Sequence, residues 1–255
     1  MQIKHLVKSI ALTAGIAASF SSHADFVEFS IDENYASGGN GKIIVADKIN
    51  GGYVERLTFD AAGNFTANAF ATFGLLYNGT TSLKGSDIGL NNTYSLYATF
   101  EAQGYTGQDD NTQFLIGETG GFQLFLDRNN NTRLSANDDI DSVINTGDDI
   151  LLGGADVLGP NVATSSTIGN RTVTAFNFDF WNFSLTAEGD QYFVSPEPFS
   201  MAVNVTGDFD EFGQGNEQII RGDLDAVFYE VPEPSTLAIL GLGLLGLGAS
   251  SRRKA

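Results

Sequence analysis

The chain has 255 residues, with 31 acidic against 13 basic side chains, a formal net charge of −18, no cysteine, and histidine only at positions 5 and 23. Downstream of position 24 these absences exclude Ser-His-Asp and Cys-His catalysis, Cys or His zinc sites, haem ligation and disulfides. The acidic excess also excludes nucleic-acid binding, because phosphate backbones would be repelled.

The first 24 residues have the pattern of a secretory signal peptide. Lys4 and Lys8 form a positive segment, an apolar run from Ile10 to Phe20 follows, and Ser22-His23-Ala24 resembles a cleavage site. The apolar run is too short for a retained anchor. We therefore expect export and a mature chain that starts at Asp25.

The sequence predicts one extracytoplasmic domain over residues 25–230. From residue 25 to residue 231 there are 8 basic and 30 acidic side chains, so the net charge is 8 − 30 = −22. These roughly 207 residues are enough for a single domain to bury a core. Without disulfides, that core and bound metal ions are the expected sources of stability.

Short strands separated by glycine and asparagine turns dominate this domain. The predicted strands are Phe26 to Ile31, Lys42 to Ile49, Tyr53 to Phe59, Phe65 to Leu76, Tyr94 to Phe100, Phe114 to Ile116, Phe122 to Leu126, Met201 to Val205 and Leu224 to Tyr229. The predicted turns are at Gly38 to Gly41, Asn50 to Gly52, Asn78-Gly79 and Gly120-Gly121. Clear alternation from Tyr94 to Phe100 indicates one buried face.

A dense aromatic stretch runs from Arg171 to Leu185. Phe176, Phe178 and Phe180 share one face, and the apolar phase then switches to Trp181, Phe183 and Leu185. The switch predicts a bulge near Phe180. Core packing is the favoured interpretation, and stacking on sugars is the alternative.

No segment before residue 235 shows helical periodicity over three turns. We therefore predict an all-β fold, an antiparallel β-sandwich that is jelly-roll-like or Ig-like, with a hydrophobic helix only at the C-terminus.

One segment, residues 127–138, has the spacing of a cation-binding loop. Oxygen-bearing side chains fall at loop positions 1, 3, 5, 9 and 12, namely Asp127, Asn129, Asn131, Ser135 and Asp138. This resembles the calcium loop of EF-hands and dockerins, in which the carbonyl at position 7, here that of Arg133, is a further ligand. Calcium is the cofactor that the resemblance implies.

The loop departs from that pattern at two positions, since Thr132 replaces the glycine of position 6 and Asp138 the glutamate of position 12. Few charges lie in the loop, so the expected dissociation constant is about 10⁻⁴ to 10⁻³ M. Further carboxylates follow at Asp139, Asp141, Asp148, Asp149 and Asp156, with two Asp-Asp-Ile copies ten residues apart. A solvated acidic loop of turn-forming residues explains the composition equally well.

The last 25 residues, 231–255, have three parts in a fixed order. The first is Val231-Pro232-Glu233-Pro234, where the prolines stop helix and sheet and leave an extended tether. The second is an uncharged run with leucines at Leu237, Leu240, Leu242, Leu244, Leu245 and Leu247. The third is the basic cluster Arg252, Arg253 and Lys254, which the positive-inside rule places in the cytoplasm. The 13 residues from Leu237 to Ala249 would span roughly 20 Å as a helix, a marginal transmembrane length.

These parts together resemble the C-terminal sorting signal of the PEP-CTERM family. The resemblance implies that the chain is a substrate of exosortase, a membrane protease-transpeptidase of Gram-negative bacteria that make exopolysaccharide. It implies transient membrane anchoring, processing near Pro232 to Pro234, and release to the cell surface or matrix. An ordinary C-terminal anchor and a buried core helix are the alternatives.

Three shorter segments resemble flocculation-associated PEP-CTERM proteins. They are Gly52 to Phe59, Thr93 to Phe100, and Phe125 to Asp127. That resemblance implies a matrix protein that helps cells and exopolysaccharide to aggregate.

Three functions follow in order of preference. The first is a non-enzymatic surface or matrix protein that supports aggregation with exopolysaccharide. The second is a carbohydrate-binding module that recognises exopolysaccharide through exposed aromatic side chains. The third is a glycan-active enzyme that uses paired carboxylates held about 5 to 10 Å apart.

Overall fold

The computed structural model describes residues 27–37, 42–83, 87–109, 112–135, 139–169, 171–197, 199–208 and 216–229. These residues belong to one compact unit, Phe26–Tyr229. The predicted signal peptide, sorting motif and C-terminal hydrophobic helix lie outside them. No helix in the described ranges is long and apolar enough to cross a membrane.

The described residues are mainly β-strand, as predicted. The strands are β1 (Phe29–Asp32), β2 (Ile43–Ala46), β3 (Lys48–Phe59), β4 (Asn64–Asn78), β5 (Thr81–Leu83), β6 (Ser95–Asp109), β7 (Thr112–Asp127), β8 (Arg133–Leu134), β9 (Val143–Ile144), β10 (Ile150–Ala155), β11 (Val157–Ile168), β12 (Arg171–Leu185), β13 (Phe193–Ser195), β14 (Ser200–Gly207) and β15 (Glu217–Tyr229). Two short helices, α1 (Glu33–Ser37) and α2 (Gly189–Tyr192), and a 3-10 turn (Thr146–Asp148) complete the elements.

The long strands form one antiparallel sheet that closes on itself. Its order is β12-β11-β7-β6-β4-β3-β15-β14, and β14 pairs back onto β12 through Phe178↔Val205 and Phe180↔Val203. Strand β10 is separated from β11 only by Asp156 and pairs with the same neighbours, β7 and β12. The closed sheet therefore has eight strand positions, and β10 and β11 share one of them.

This closed sheet differs from the predicted two-sheet sandwich. Every pairing between named strands is antiparallel, which confirms the broader prediction. Alternation along a strand specifies which face is buried, and a sandwich and a closed sheet both bury one face. The sequence pattern carries no signal for the β12–β14 pairing that closes the sheet.

The inward-facing side chains form the core, and the predicted alternation is present. On β6, Leu96 and Ala98 are buried, while Glu101 faces outward and is exposed. On β12, Phe176, Phe180 and Phe183 are buried, which confirms the core interpretation. The β12–β14 register shifts between Phe180 and Phe183, where the sequence predicted a bulge.

Two predicted turns are instead parts of strands. Asn50 to Gly52 lies inside β3 and Gly120-Gly121 inside β7. At Gly51 a Cβ atom would lie 2.1 Å from the carbonyl oxygen of Thr72 on β4. This glycine therefore permits close strand pairing at a register shift and does not end a strand.

Candidate functional site

The candidate site is the connection from β7 to β10, residues 128–149, which carries the predicted calcium loop. It contains the β8–β9 hairpin and the 3-10 turn. Asn130 and Asn145 adopt positive φ values of 54° and 68°. Asparagine tolerates this left-handed conformation better than most residues, which explains part of the asparagine content.

The connection lies against an aromatic cluster on the outer face of the sheet. Tyr97 on β6 stacks on Phe125 of β7 at 4.9 Å between ring centroids, and Phe70 of β4 lies 5.4 Å from Tyr97. Tyr97 and Phe70 are buried although both point away from the core. The acidic connection is therefore packed on the sheet, in contrast to a fully solvated loop.

Asp127, at loop position 1, organises the start of the connection. Asp127 is 0% exposed. Its carboxylate accepts hydrogen bonds from Ser95 Oγ at 3.0 Å, from the main-chain N–H of Asn129 at 3.1 Å and from the main-chain N–H of Thr132 at 2.8 Å. These bonds fold the chain back on itself and offset the cost of burying the carboxylate.

Asp149, from the second Asp-Asp-Ile copy, lies on the same side. Its Oδ2 accepts hydrogen bonds from Tyr97 Oη at 2.8 Å and Thr132 Oγ1 at 2.7 Å. Burial raises the pKa of Asp149, and the charges of Asp127 and Asp148 raise it further, while the bonds from Thr132 and Tyr97 oppose the shift. The carboxylates of Asp127 and Asp148 thus both repel that of Asp149.

Two side-chain oxygens at this place are buried without a hydrogen-bond partner. They are Asp149 Oδ1 and Asn131 Oδ1, the latter at loop position 5. Unpaired acceptors beside mutually repelling carboxylates fit a hard cation, which takes oxygen ligands from carboxylates, amides and carbonyls.

Of the other predicted ligands, Asn129 and Asn131 lie near the acidic cluster and Ser135 makes a different contact. The Asn129 side-chain amide donates to Asp148, and the Asn131 carbonyl accepts from Asn145 Nδ2 at 2.9 Å, so both stay close to the acidic cluster. Ser135 Oγ is instead hydrogen-bonded to Ser142 Oγ at 2.5 Å, beside the β8–β9 hairpin in which Arg133 pairs with Ile144. Asp138 lies outside the described residues.

Sequence reasoning noted Asp148 and Asp149 but did not place them with Asp127. The repeated Asp-Asp-Ile was the sequence signal that could have pointed to Asp148 and Asp149. No sequence signal pointed to Tyr97, whose hydroxyl donates to Asp149. Within the described ranges, no group of three or more His, Cys, Asp or Glu side chains is arranged to hold a metal. A cation here would therefore depend on amide, hydroxyl and main-chain oxygens as well as carboxylates.

Arg56 of β3 joins the far side of the connection to the sheet. Its guanidinium forms ion pairs with Asp141 at 2.5 Å, Asp139 at 3.3 Å and Glu217 at 4.0 Å. Arg56 thereby holds the segment that contains the first Asp-Asp-Ile copy.

A polar cleft of about 700 Å³ adjoins the connection on the outer face. Exposed side chains from three neighbouring strands line it, including Asn68 of β4, Glu101 and Gln103 of β6, and Gln123 of β7. Asn68 lies directly opposite Glu101 across the strand pair. Ile140, Asp141 and Val143 of the acidic connection also line the cleft, as does Asp156 between β10 and β11.

Exposed aromatic side chains do not form a platform in the described part of the chain. Tyr105 on β6 is 43% exposed and Trp181 on β12 is 39% exposed. β7 and β11 separate their strands in the sheet. Recognition of sugars through a row of exposed aromatic side chains therefore lacks support in these residues.

Fold and site define an acidic all-β protein with a candidate cation-binding connection on its outer face. Residues 230–254 match the family model of the PEP-CTERM protein-sorting motif. The C-terminal end of the chain therefore carries a PEP-CTERM sorting motif, and this motif supports export and sorting by exosortase. The predicted tail signal is thereby confirmed.

Other comparisons add little. No curated protein matches the chain. A solved structure, the crystal structure of Ail, the attachment invasion locus protein of Yersinia pestis, aligns with 10% identity over 72% of this chain and 98% of that one. Its TM-score is 0.15, so the likeness supports no conclusion about this protein.

Proposed function

We propose that this protein is a non-enzymatic component of the cell surface or extracellular matrix that supports cell aggregation together with exopolysaccharide. The sorting motif at residues 230–254 carries the proposal, because it directs the chain outward through exosortase. The acidic composition disfavours nucleic acid as a partner and is compatible with exopolysaccharide as the partner.

We further propose that the connection binds calcium. Asp127, Asn131 and Asp149 are the central ligands, and the two unpartnered buried oxygens support this assignment. Asn129, the Arg133 carbonyl, Ser135 and Asp138 complete the set expected from the loop spacing. Bound calcium would neutralise the repulsion among Asp127, Asp148 and Asp149, and divalent ions would bridge acidic protein to acidic polysaccharide.

The test compares floc formation by the wild-type strain and a deletion strain complemented with the full chain or with Asp127→Ala. The aggregation proposal expects the deletion to disperse flocs and the wild-type gene to restore them. A chelator should disperse wild-type flocs and leave the deletion strain unchanged. Equal aggregation of wild type and deletion would overturn the function, and full rescue by Asp127→Ala would overturn only the calcium step.

A carbohydrate-binding module is the second candidate, and the polar cleft favours it. Its asparagine, glutamine and glutamate side chains offer both donors and acceptors for sugar hydroxyls. If the cleft binds exopolysaccharide, Asn68→Ala combined with Gln123→Ala should reduce retention of the protein on immobilised polysaccharide by tenfold or more. New reducing ends after incubation with polysaccharide would instead indicate the enzyme class.

A further inference from the structure

The interior of the closed sheet contains a cavity that the proposed function does not use. Its volume is about 90 Å³, and its lining is almost entirely apolar. Aromatic rings from six strands line it, including Phe100 of β6, Phe122 of β7 and Phe178 of β12. An eight-stranded closed sheet is just wide enough either to fill with side chains or to hold one small ligand.

One charged side chain, Glu55 of β3, points into this interior. Glu55 alternates with the buried residues Tyr53 and Leu57 and is itself only 7% exposed. It lines both the main cavity and a second one of about 20 Å³. Within the described part of the chain, Glu55 has neither an ion pair nor a hydrogen bond.

An unpaired carboxylate in such surroundings is costly. Desolvation raises the pKa of Glu55 from 4.5 to about 7. Tyr53 is the other titratable residue that lines either cavity, and its hydroxyl donates to the Asp208 carbonyl at 2.9 Å. Neither lining supplies a cationic side chain, so the described residues provide no positive partner for the ionised carboxylate.

We propose that the cavity is a binding site for a small organic ammonium ion, with the Glu55 carboxylate as its counter-ion. The alkyl part would lie against the aromatic rings, whose faces also attract cations. A bare metal ion does not fit, because one carboxylate and an apolar wall cannot replace its hydration shell. An anion is excluded by the charge of Glu55, and a neutral apolar ligand would leave the carboxylate unpaired.

The cavity volume sets the size of the ligand. A 150 Å³ apolar cavity binds benzene, which has six heavy atoms, so about 90 Å³ admits a ligand of about four heavy atoms. Propylammonium has this size, and propanol is its uncharged counterpart of nearly the same shape. The pair separates the effect of charge from the effect of apolar burial.

The experiment titrates the full-length chain with each compound at pH 6 and pH 8 and follows protein resonances by NMR. Propylammonium should bind about tenfold more tightly at pH 8 than at pH 6, because only the ionised fraction of Glu55 is competent. Propanol should bind with little dependence on pH in this range.

Variants make the assignment specific. Glu55→Gln should weaken propylammonium binding at pH 8 at least tenfold and leave propanol within about twofold, whereas Glu118→Gln, at an exposed glutamate on β7, should change neither. Ala98→Leu places a larger side chain in the cavity, keeps the Glu55 carboxylate, and should abolish binding of both compounds. Equal binding of the two compounds by the wild type, unchanged propylammonium binding in either Glu55→Gln or Ala98→Leu, or no saturable change with either compound would overturn the proposal.

This site is independent of the calcium proposal. Glu55 lies on the inner face of the sheet, whereas the acidic connection packs on outward-facing Tyr97 and Phe70. Loss of ammonium binding in Glu55→Gln should leave the response to calcium unchanged.

Discussion

Tyr97 donates a 2.8 Å hydrogen bond from its hydroxyl to Oδ2 of Asp149, and this bond joins the outer face of the sheet to the end of the acidic connection. Tyr97 is 3% exposed and stacks on Phe125, so its ring position is determined by packing. The rigid donor therefore fixes where the Asp149 carboxylate lies relative to Asp127.

Removing this hydroxyl should lower stability. A hydrogen bond to a charged group contributes about 1.5–3 kcal/mol, so Tyr97→Phe should reduce the free energy of unfolding by about 2 kcal/mol in urea titrations. Tyr105→Phe, at an exposed tyrosine of the same strand, is the control and should have little effect. An unchanged midpoint for Tyr97→Phe would mean that the bond does not hold the connection.

Calcium should raise the melting temperature of the protein at millimolar concentration. Asp127→Ala should abolish the rise, because it removes the ligand at loop position 1. Asp149→Asn should raise the melting temperature without calcium, by relieving repulsion, and reduce the rise with calcium. Asp190→Asn, an exposed aspartate on α2, is the matched control. No shift in the wild type would rule out the site.

The free energy of unfolding should fall as the pH rises from the unfolded-state pKa of Glu55, 4.5, to its folded-state pKa of about 7. The folded state keeps Glu55 protonated up to its pKa of about 7, whereas the unfolded chain ionises near 4.5. The folded state therefore binds more protons between these values, and the free energy of unfolding should decrease by about 3 kcal/mol from pH 4.5 to 7. Glu55→Gln should remove this component, and Glu101→Gln should retain it. Identical pH profiles for Glu55→Gln and wild type would contradict the assignment.

Gly104 on β6 should not tolerate a side chain. A Cβ atom there would lie 1.9 Å from the carbonyl oxygen of Ile116 on the paired strand, at a register shift. Gly104→Ala should destabilise the protein by about 1–3 kcal/mol in thermal or urea unfolding. Gly147, which has open space around its Cβ position, is the control, and Gly147→Ala should stay within about 0.5 kcal/mol. Equal effects would show that the strands separate to accommodate the methyl group.

The sorting motif gives a prediction in cells. Replacing Pro232 and Pro234 together by alanine should leave an unprocessed chain with the membrane fraction, because alanine removes the backbone constraint that the two prolines place on the sorting motif. Immunoblots of membrane and released fractions would measure the change in size and location. Substitution of Ser250 and Ser251 by alanine, beyond the hydrophobic run, is the control. Normal release of the proline variant would show that processing does not require Pro232 and Pro234.

Much of the site could be read from the chain because its signals are local. The spacing of oxygen-bearing side chains from Asp127 to Asp138 predicted a calcium loop, which stays a prediction, and the repeated Asp-Asp-Ile identified further carboxylates. The grouping of Asp149 with Asp127 and Tyr97 could not be predicted, since it depends on a hairpin and on packing between residues far apart in sequence.

The sequence by itself determined the C-terminal sorting motif, the acidic character, the lack of cysteine and the β-rich core, because each follows from composition, a short motif or a two-residue period. Only the tertiary structure decided that β14 returns to β12 and closes the sheet, which depends on long-range pairing. That closure also turned Glu55, an ordinary charged residue in an alternating strand, into a carboxylate without a partner inside an apolar cavity.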